Sequence, residues 1–344
     1  MTSISELKAQ LIPGTKVVIT AHYNPDSDAI GSTLAFQGYL AKKGIQASVA
    51  VPSAVAANLQ WMPNASGILA YDELLHKVQI DALIEEADFI FCLDFSVLNR
   101  VNELGEIIRQ SSAFIVNIDH HQDPEDFAHH RLWSTQAAAT CELVYELIVS
   151  LGDKELIDKH IAACLYAGIL TDTGGFRHPN TTKNVHLVVA ELLEAGANAT
   201  EIANLIYDSN SLNRLKFIGF AITRRLVVRE DLHTAYFVIG KKDLKKYQSQ
   251  TGDTEGLVNY ALSLEGVKLA ALFSEREDGV KISFRSSVDV AVNKFAAAHF
   301  GGGGHKNAAG GKSSLSLKKT VARFESLVQE YQEDLFHSKA VSNT

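Results

Sequence analysis

Residues 16–43 read KVVITAHYNPDSDAIGSTLAFQGYLAKK. Lys16–His22 is a short β-branched run, as a buried strand requires. Asp28–Lys43 carries an apolar stripe at helical spacing and stops at Gly44. Between strand and helix lie His22, Asp26 and Asp28. The alternation continues outward from this passage. Gln46–Val51, Asp88–Asp94 (DFIFCLD) and Ala113–His121 (AFIVNIDHH) read as further strands. Continuous apolar runs of this kind suit a parallel sheet covered on both faces. Helices are expected at Gln136–Leu151, Lys154–Thr171, Lys183–Ala195 and Thr200–Ser209. The βαβ pattern predicts an α/β fold, with an open, mostly parallel N-terminal sheet and helices on both faces.

The second half changes character. Leu226–Arg229, Ala235–Ile239, Val267–Ser274 and Val280–Ser286 read as strands of a smaller α/β domain. Helices at Leu257–Leu264, Val290–His299 and Ser316–Phe336 complete it, and Ser338–Thr344 reads as a frayed tail. The expected division is residues 1–200, a connecting helix over 201–225, and residues 226–340. With 344 residues, two domains is also what length suggests.

Lys and Arg total 32 against 40 Asp and Glu, a formal charge of −8. That balance argues against binding duplex DNA through a broad basic face. Hydrophobic residues at 46% and charged residues at 21% are globular values and exclude a disordered or fibrous chain. No apolar run of about 18 residues suggests a membrane span. The N-terminus has no signal-peptide pattern, so a cytoplasmic location is expected. Cys92, Cys141 and Cys164 sit in apolar stretches without a CxxC spacing, as buried thiols of a reducing compartment would.

Polar residues collect where the first-half strands end: His22, Asp26 and Asp28; Asp94; Asp119-His120-His121. A later helix ends in Thr171-Asp172-Thr-Gly-Gly-Phe-Arg177. Ligands of open α/β sheets bind beyond the carboxyl ends of the strands, so these groups can share one site. Converging carboxylates and imidazoles repel unless cations neutralise them. Oxygen-rich donors with imidazole and no thiolate favour Mn²⁺ or Mg²⁺ over structural zinc. Two such ions are the usual machinery of phosphoester hydrolysis. A single Asp after a strand is more often a helix cap, and it is the conjunction of these motifs that points to a site. His129-His130 is read as part of a polar loop with no role. His160, His186 and His233 are read as surface or packing residues.

The set His22-Tyr-Asn-Pro-Asp26-Ser-Asp28, Asp94, Asp119-His120-His121 and Thr171-Asp172-Thr resembles the four motifs of the DHH phosphoesterase superfamily. Gly301–Gly304 followed by His305 and Asn307 resembles the GGGH motif of the DHH-associated C-terminal domain. Length and layout are similar to the nano-RNase subgroup. The resemblance implies that His22 and Asp26 bind one metal. It implies that Asp28, His120 and Asp172 bind a second, and that Asp94 bridges the two. His121 would face the scissile phosphate, either stabilising charge or donating to the leaving group, and Asp119 would orient the imidazoles. Arg285, Ser286, Gly303, Gly304, His305 and Asn307 would grip the distal end of the substrate, with Arg177 a further phosphate contact. The active site would lie in the cleft between the domains.

The resemblance further implies a two-metal phosphodiesterase that degrades di- to pentanucleotides to mononucleotides. It would also dephosphorylate 3′-phosphoadenosine 5′-phosphate. Mn²⁺ is the expected metal, with Mg²⁺ and Co²⁺ fitting the same donors. A homodimer is common among such enzymes. Tyr23, Phe95 and Phe176 are candidates for base stacking, against a packing role. The main alternative is a cyclic-dinucleotide (c-di-AMP) phosphodiesterase. A nucleotide sensor without turnover is the alternative from another class. Gly301–His305 counts against a soluble inorganic pyrophosphatase.

Overall fold

The computed structural model describes residues 4–331 apart from Glu73, Thr251 and Val288. The end of the helix expected at Ser316–Phe336 and the tail expected at Ser338–Thr344 lie outside the described residues. The chain divides into two compact units, Met1–Ser209 and Asn210–Thr344.

The first unit runs α1 (Ile4–Gln10), β1 (Val17–Thr20), α2 (Ser27–Lys42), β2 (Ala47–Val51), β3 (Leu69–Ala70), α3 (Leu74–Glu85), β4 (Phe89–Leu93), α4 (Glu103–Gln110), β5 (Phe114–Asp119), β6 (His130–Trp133), α5 (Thr140–Ser150), α6 (Lys159–Asp172), α7 (Lys183–Glu194) and α8 (Ala199–Tyr207). The strands form one sheet in the order β3-β2-β1-β4-β5-β6, and every pairing is parallel. Successive side chains point to opposite faces, so each strand feeds two cores. Val17, Ile19, Phe89, Phe91, Val116 and Ile118 join the core that contains α2, α5 and α6 residues. Val18, Ile90, Cys92 and Ile115 join the core that contains α3 and α4 residues. The expected α/β architecture with helices on both faces is what the chain adopts. The strand order reverses between β1 and β4, and open sheets of this kind bind ligands beyond the strand ends at that point.

Several local expectations needed correction. The helix expected from Gln136 begins at Thr140, because Ala139 is extended and serves as its N-cap. The stretch from Lys154 is a single 3₁₀ turn, after which α6 starts behind its Asp158 cap. His129-His130 does not lie in a polar loop. His130 opens β6, and His129 Nδ1 accepts from the backbone N–H of Ile115 at 2.9 Å. Residues 201–225 hold parts of two helices, α8 and α9 (Leu212–Arg224), on either side of the division between the units.

The second unit continues with β7 (Leu226–Arg229), β8 (Thr234–Ile239), α10 (Lys241–Lys246), α11 (Leu257–Leu262), β9 (Leu269–Arg276), β10 (Gly279–Ser286), α12 (Val292–Phe300), β11 (Gly303–His305), β12 (Ala308–Ser313) and α13 (Leu317–Glu330). Its sheet has the order β11-β12-β10-β9-β8-β7, antiparallel except for β8 beside β9. Phe295, Phe300, Phe324 and Val328 pack one face, and Phe217, Leu257, Val258 and Ala261 pack the other. The hairpin β11–β12 escaped the sequence reading because GGH and AAGGKS lack the β-branched and aromatic residues that mark strands.

Candidate metal centre

The strand ends at the order reversal carry the polar motifs. His22 follows β1. Asp26 caps α2, its Oδ1 accepting from the N–H of Asp28 and of Ala29, both at 3.1 Å. Asp28 lies in the first turn of α2, and its carboxylate is held by the N-terminus of α5. Oδ2 accepts from Thr140 N at 2.7 Å and Oδ1 from Cys141 N at 2.9 Å. Backbone donors at a helix start lack intrahelical partners, so they fix an anion well. Asp94 directly follows β4 with a φ of 66°. A left-handed residue other than glycine costs about 1–2 kcal/mol, an expense found where geometry serves function. Asp119 ends β5, His120 and His121 follow it, and Asp172 is the last residue of α6.

These side chains converge. His22 Nε2 stands 3.4 Å from Asp94 Oδ2 and 3.8 Å from Asp26 Oδ2. His120 Nε2 stands 3.4 Å from Asp172 Oδ2, 3.5 Å from Asp94 Oδ1 and 3.7 Å from Asp28 Oδ2. Two of the donor groups among the described residues are His22 with Asp26 and Asp94, and Asp28 with Asp94 and His120. Within each, the ligand atoms lie within 4.8 Å of one another. Asp94 belongs to both and offers a different oxygen to each imidazole. Thr140 Oγ1 donates to Asp94 Oδ1 at 2.9 Å and so ties the shared carboxylate to α5. His121 Nδ1 lies 2.8 Å from Asp119 Oδ1, and Asp119 is fully buried. A buried carboxylate on Nδ1 fixes the ring and its tautomer.

The electrostatics describe a site that demands positive charge. Burial lowers the His22 imidazole, but Asp26 and Asp94 outweigh it and hold its pKa at about 10; the nearby Arg100 charge opposes them. Burial likewise works against His120, yet Asp94, Asp172 and Asp28 raise it to about 10. Burial and the Asp94 charge push Asp28 up to about 7. Burial and the charge of Asp28 drive Asp172 well above the usual carboxylate range. Burial would raise Asp94 too, but His120 and His22 hold it well below that range. Protons thus sit where cations are needed. The donor set is hard and oxygen-rich, and it fits divalent cations of the Mn²⁺ and Mg²⁺ type. Burial and the Asp28 charge drive the adjacent Cys141 thiol far up, so it stays protonated and is no competing ligand.

Gly168 on α6 supplies the room. A Cβ there would meet Cys141 Sγ at 2.4 Å, Asp28 Oδ1 at 2.6 Å and Asp28 Cα at 2.9 Å. Gly168→Ala is therefore expected to displace Asp28, to lower stability by about 1–3 kcal/mol, and to weaken metal uptake. Thermal melts and metal titration check both effects.

Phe95 is fully buried, and Phe176 packs between Tyr166 and His186. Tyr23 remains exposed. Arg177 is exposed, and its Nε donates to Gly174 O at 2.7 Å. In the second unit, Arg285, Ser286, Gly303, Gly304, His305 and Asn307 gather at one end of the β10–β12–β11 ladder. Ser286 Oγ donates to Val290 O at 2.6 Å, and Asn307 Nδ2 donates to Ser286 Oγ at 3.0 Å and Val290 O at 3.1 Å, so these two brace the loop after β10. Gly302 has a structural reason, since a Cβ there would strike Gly310 O at 1.8 Å. The sequence reading missed Thr140, Cys141 and Gly168. It also missed Trp133, which is 41% exposed and whose indole N–H donates to His121 O at 2.6 Å.

The chain belongs to the DHH family of phosphoesterases, hydrolases of phosphate ester bonds. The DHH family N-terminal domain matches residues 16–169, and the DHHA1 domain matches residues 234–334. The chain is similar to the "bifunctional oligoribonuclease and PAP phosphatase NrnA" of Thermus thermophilus. Identity is 31% over 323 residues, covering 91% of this chain and 89% of that protein. The protein of the same name from Bacillus subtilis is 29% identical over 327 residues, covering 92% and 96%. The crystal structure of an exopolyphosphatase-related protein from Bacteroides fragilis superposes with a TM-score of 0.89. It is 35% identical and covers 96% of each chain.

Proposed function

We propose that the chain hydrolyses short oligonucleotides to mononucleotides and also removes a phosphate from 3′-phosphoadenosine 5′-phosphate. The observation that carries this reading is the single carboxylate, Asp94, common to two donor groups, with the Asp119–His121 pair beside it. The names of the relatives from Thermus thermophilus and Bacillus subtilis support the substrate class.

His22, Asp26 and Asp94 would hold one divalent cation, and Asp28, His120, Asp172 and Asp94 a second, Mn²⁺ being the best match to the donors. Two such cations supply Lewis-acid polarisation of the phosphoryl oxygens and acidify an attacking water. The remaining work belongs to the chain. The N-terminus of α5 holds the Asp28 carboxylate in place through Thr140 and Cys141. Asp119 holds His121 by Nδ1, so proton transfer to the leaving oxygen falls to Nε2. In the second unit, Arg285 and His305 are the candidates to engage the terminal phosphate or nucleotide, arginine by bidentate contact.

A substrate panel with Mn²⁺ tests this reading. Linear di- to pentanucleotides and 3′-phosphoadenosine 5′-phosphate should turn over, and a long single strand and c-di-AMP should be slower by about tenfold or more in kcat/KM. Turnover confined to c-di-AMP, or to long strands, overturns it. So does nucleotide binding without product.

A further inference from the structure

We propose that Asn117 is the residue that positions the shared carboxylate, by clamping the backbone on both sides of Asp94. The inference rests on the metal reading given above.

Asn117 interrupts the apolar run of β5 two residues before Asp119, and its side chain is completely buried. Burying an amide is costly unless hydrogen bonds compensate. Its Nδ2 donates to Cys92 O at 3.1 Å and to Phe95 O at 3.0 Å. Those carbonyls lie two residues before Asp94 and one residue after it. They can only accept, so the NH₂ end of the amide must face them. Asn117 Oδ1 is buried and makes no hydrogen bond among the described residues. Half of the amide is thus left unsatisfied while the other half spans the turn.

That turn needs a clamp. Asp94 is left-handed at a φ of 66° and is almost completely buried, so relaxation toward an ordinary strand conformation would be downhill. Relaxation would swing the carboxylate away from one imidazole or the other. One more bond fixes the same point from β5, Asp94 N donating to Ile118 O at 3.0 Å. The clamp needs two donors in a narrow fork, which neither a hydroxyl nor a carboxylate supplies. Asn117 touches neither substrate nor cation and acts through Asp94.

The test is Mn²⁺ titration by calorimetry on the full chain, with melting of the metal-free protein alongside. The wild type is compared with Asn117→Leu and with the smaller Asn117→Ala, in case leucine prevents folding. Both variants should lose about 10–100-fold in Mn²⁺ affinity. Their kcat/KM for a dinucleotide should fall at limiting Mn²⁺ and recover toward wild type as Mn²⁺ is raised. A residue of purely structural importance would instead lower the melting temperature and leave the affinity of the folded protein unchanged. Wild-type affinity in a folded variant overturns the role of Asn117. A wild type that takes up no Mn²⁺ overturns the metal reading and, with it, this one.

Discussion

Asp94→Asn is expected to lower kcat/KM on a dinucleotide by about a thousandfold or more at saturating Mn²⁺. The carboxylate is the one group common to both donor sets, and its two oxygens face different imidazoles. Removing its charge weakens both cation sites at once. A loss of about 4 kcal/mol of transition-state stabilisation is three decades in rate. The substitution is otherwise gentle. Asparagine is among the residues that best tolerate a left-handed backbone, and its carbonyl oxygen can still accept from Thr140 Oγ1. The variant should therefore fold, as circular dichroism can establish, while steady-state kinetics show the loss. Activity within tenfold of wild type would exclude Asp94 from the centre.

Metal removal should have the other large effect, and its pH dependence has a definite sign. Chelation with EDTA should bring hydrolysis to background, and Mn²⁺ should restore it. In the metal-free protein, His22 and His120 are raised from 6.5 to about 10 by the carboxylates that overcome their burial. A group raised on folding contributes stability that is complete below its unfolded value and is lost as pH climbs through the folded one. Asp28, raised from 3.8 to about 7 by burial and Asp94, works in the same direction over a lower range. The metal-free protein should therefore lose stability from about pH 6.5 to pH 10. Cations must displace these protons, so Mn²⁺ affinity rises over the same window. At a hundredfold excess over its dissociation constant, a single bound ion adds about 2.7 kcal/mol. Melting curves with and without Mn²⁺ should diverge as pH rises, and parallel curves would contradict the assignment.

The candidate ligand motifs were legible because each is local. A parallel sheet delivers polar residues to the ends of its strands, and those residues lie next to apolar runs that anyone can see. His22, Asp94 and Asp119 announce themselves in this way. What supports them does not. Thr140 and Cys141 look like an ordinary helix start, and their role exists through an aspartate more than a hundred residues away. Gly168 looks like a small residue in a helix until Asp28 is packed against it. Asn117 sits in plain view in AFIVNIDHH, yet its donors serve one carbonyl on β4 and one just past that strand's end. The same limit hid β6, a four-residue edge strand that opens on His130 and Arg131, and the hairpin β11–β12, made largely of glycine and alanine. The left-handed turn at Asp94 had no signal at all, since aspartate at a strand end usually takes ordinary angles.

Trp133 gives the molecule an optical property. The chain has two tryptophans, and one of them is hydrogen-bonded to the carbonyl of His121 with much of its ring in solvent. The other, Trp61, packs against the core of the first unit. With Trp61→Phe, all indole emission would come from a fluorophore attached to the DHH segment itself. Occupancy of the candidate centre could then be followed in real time without a label, through the indole's bond to His121.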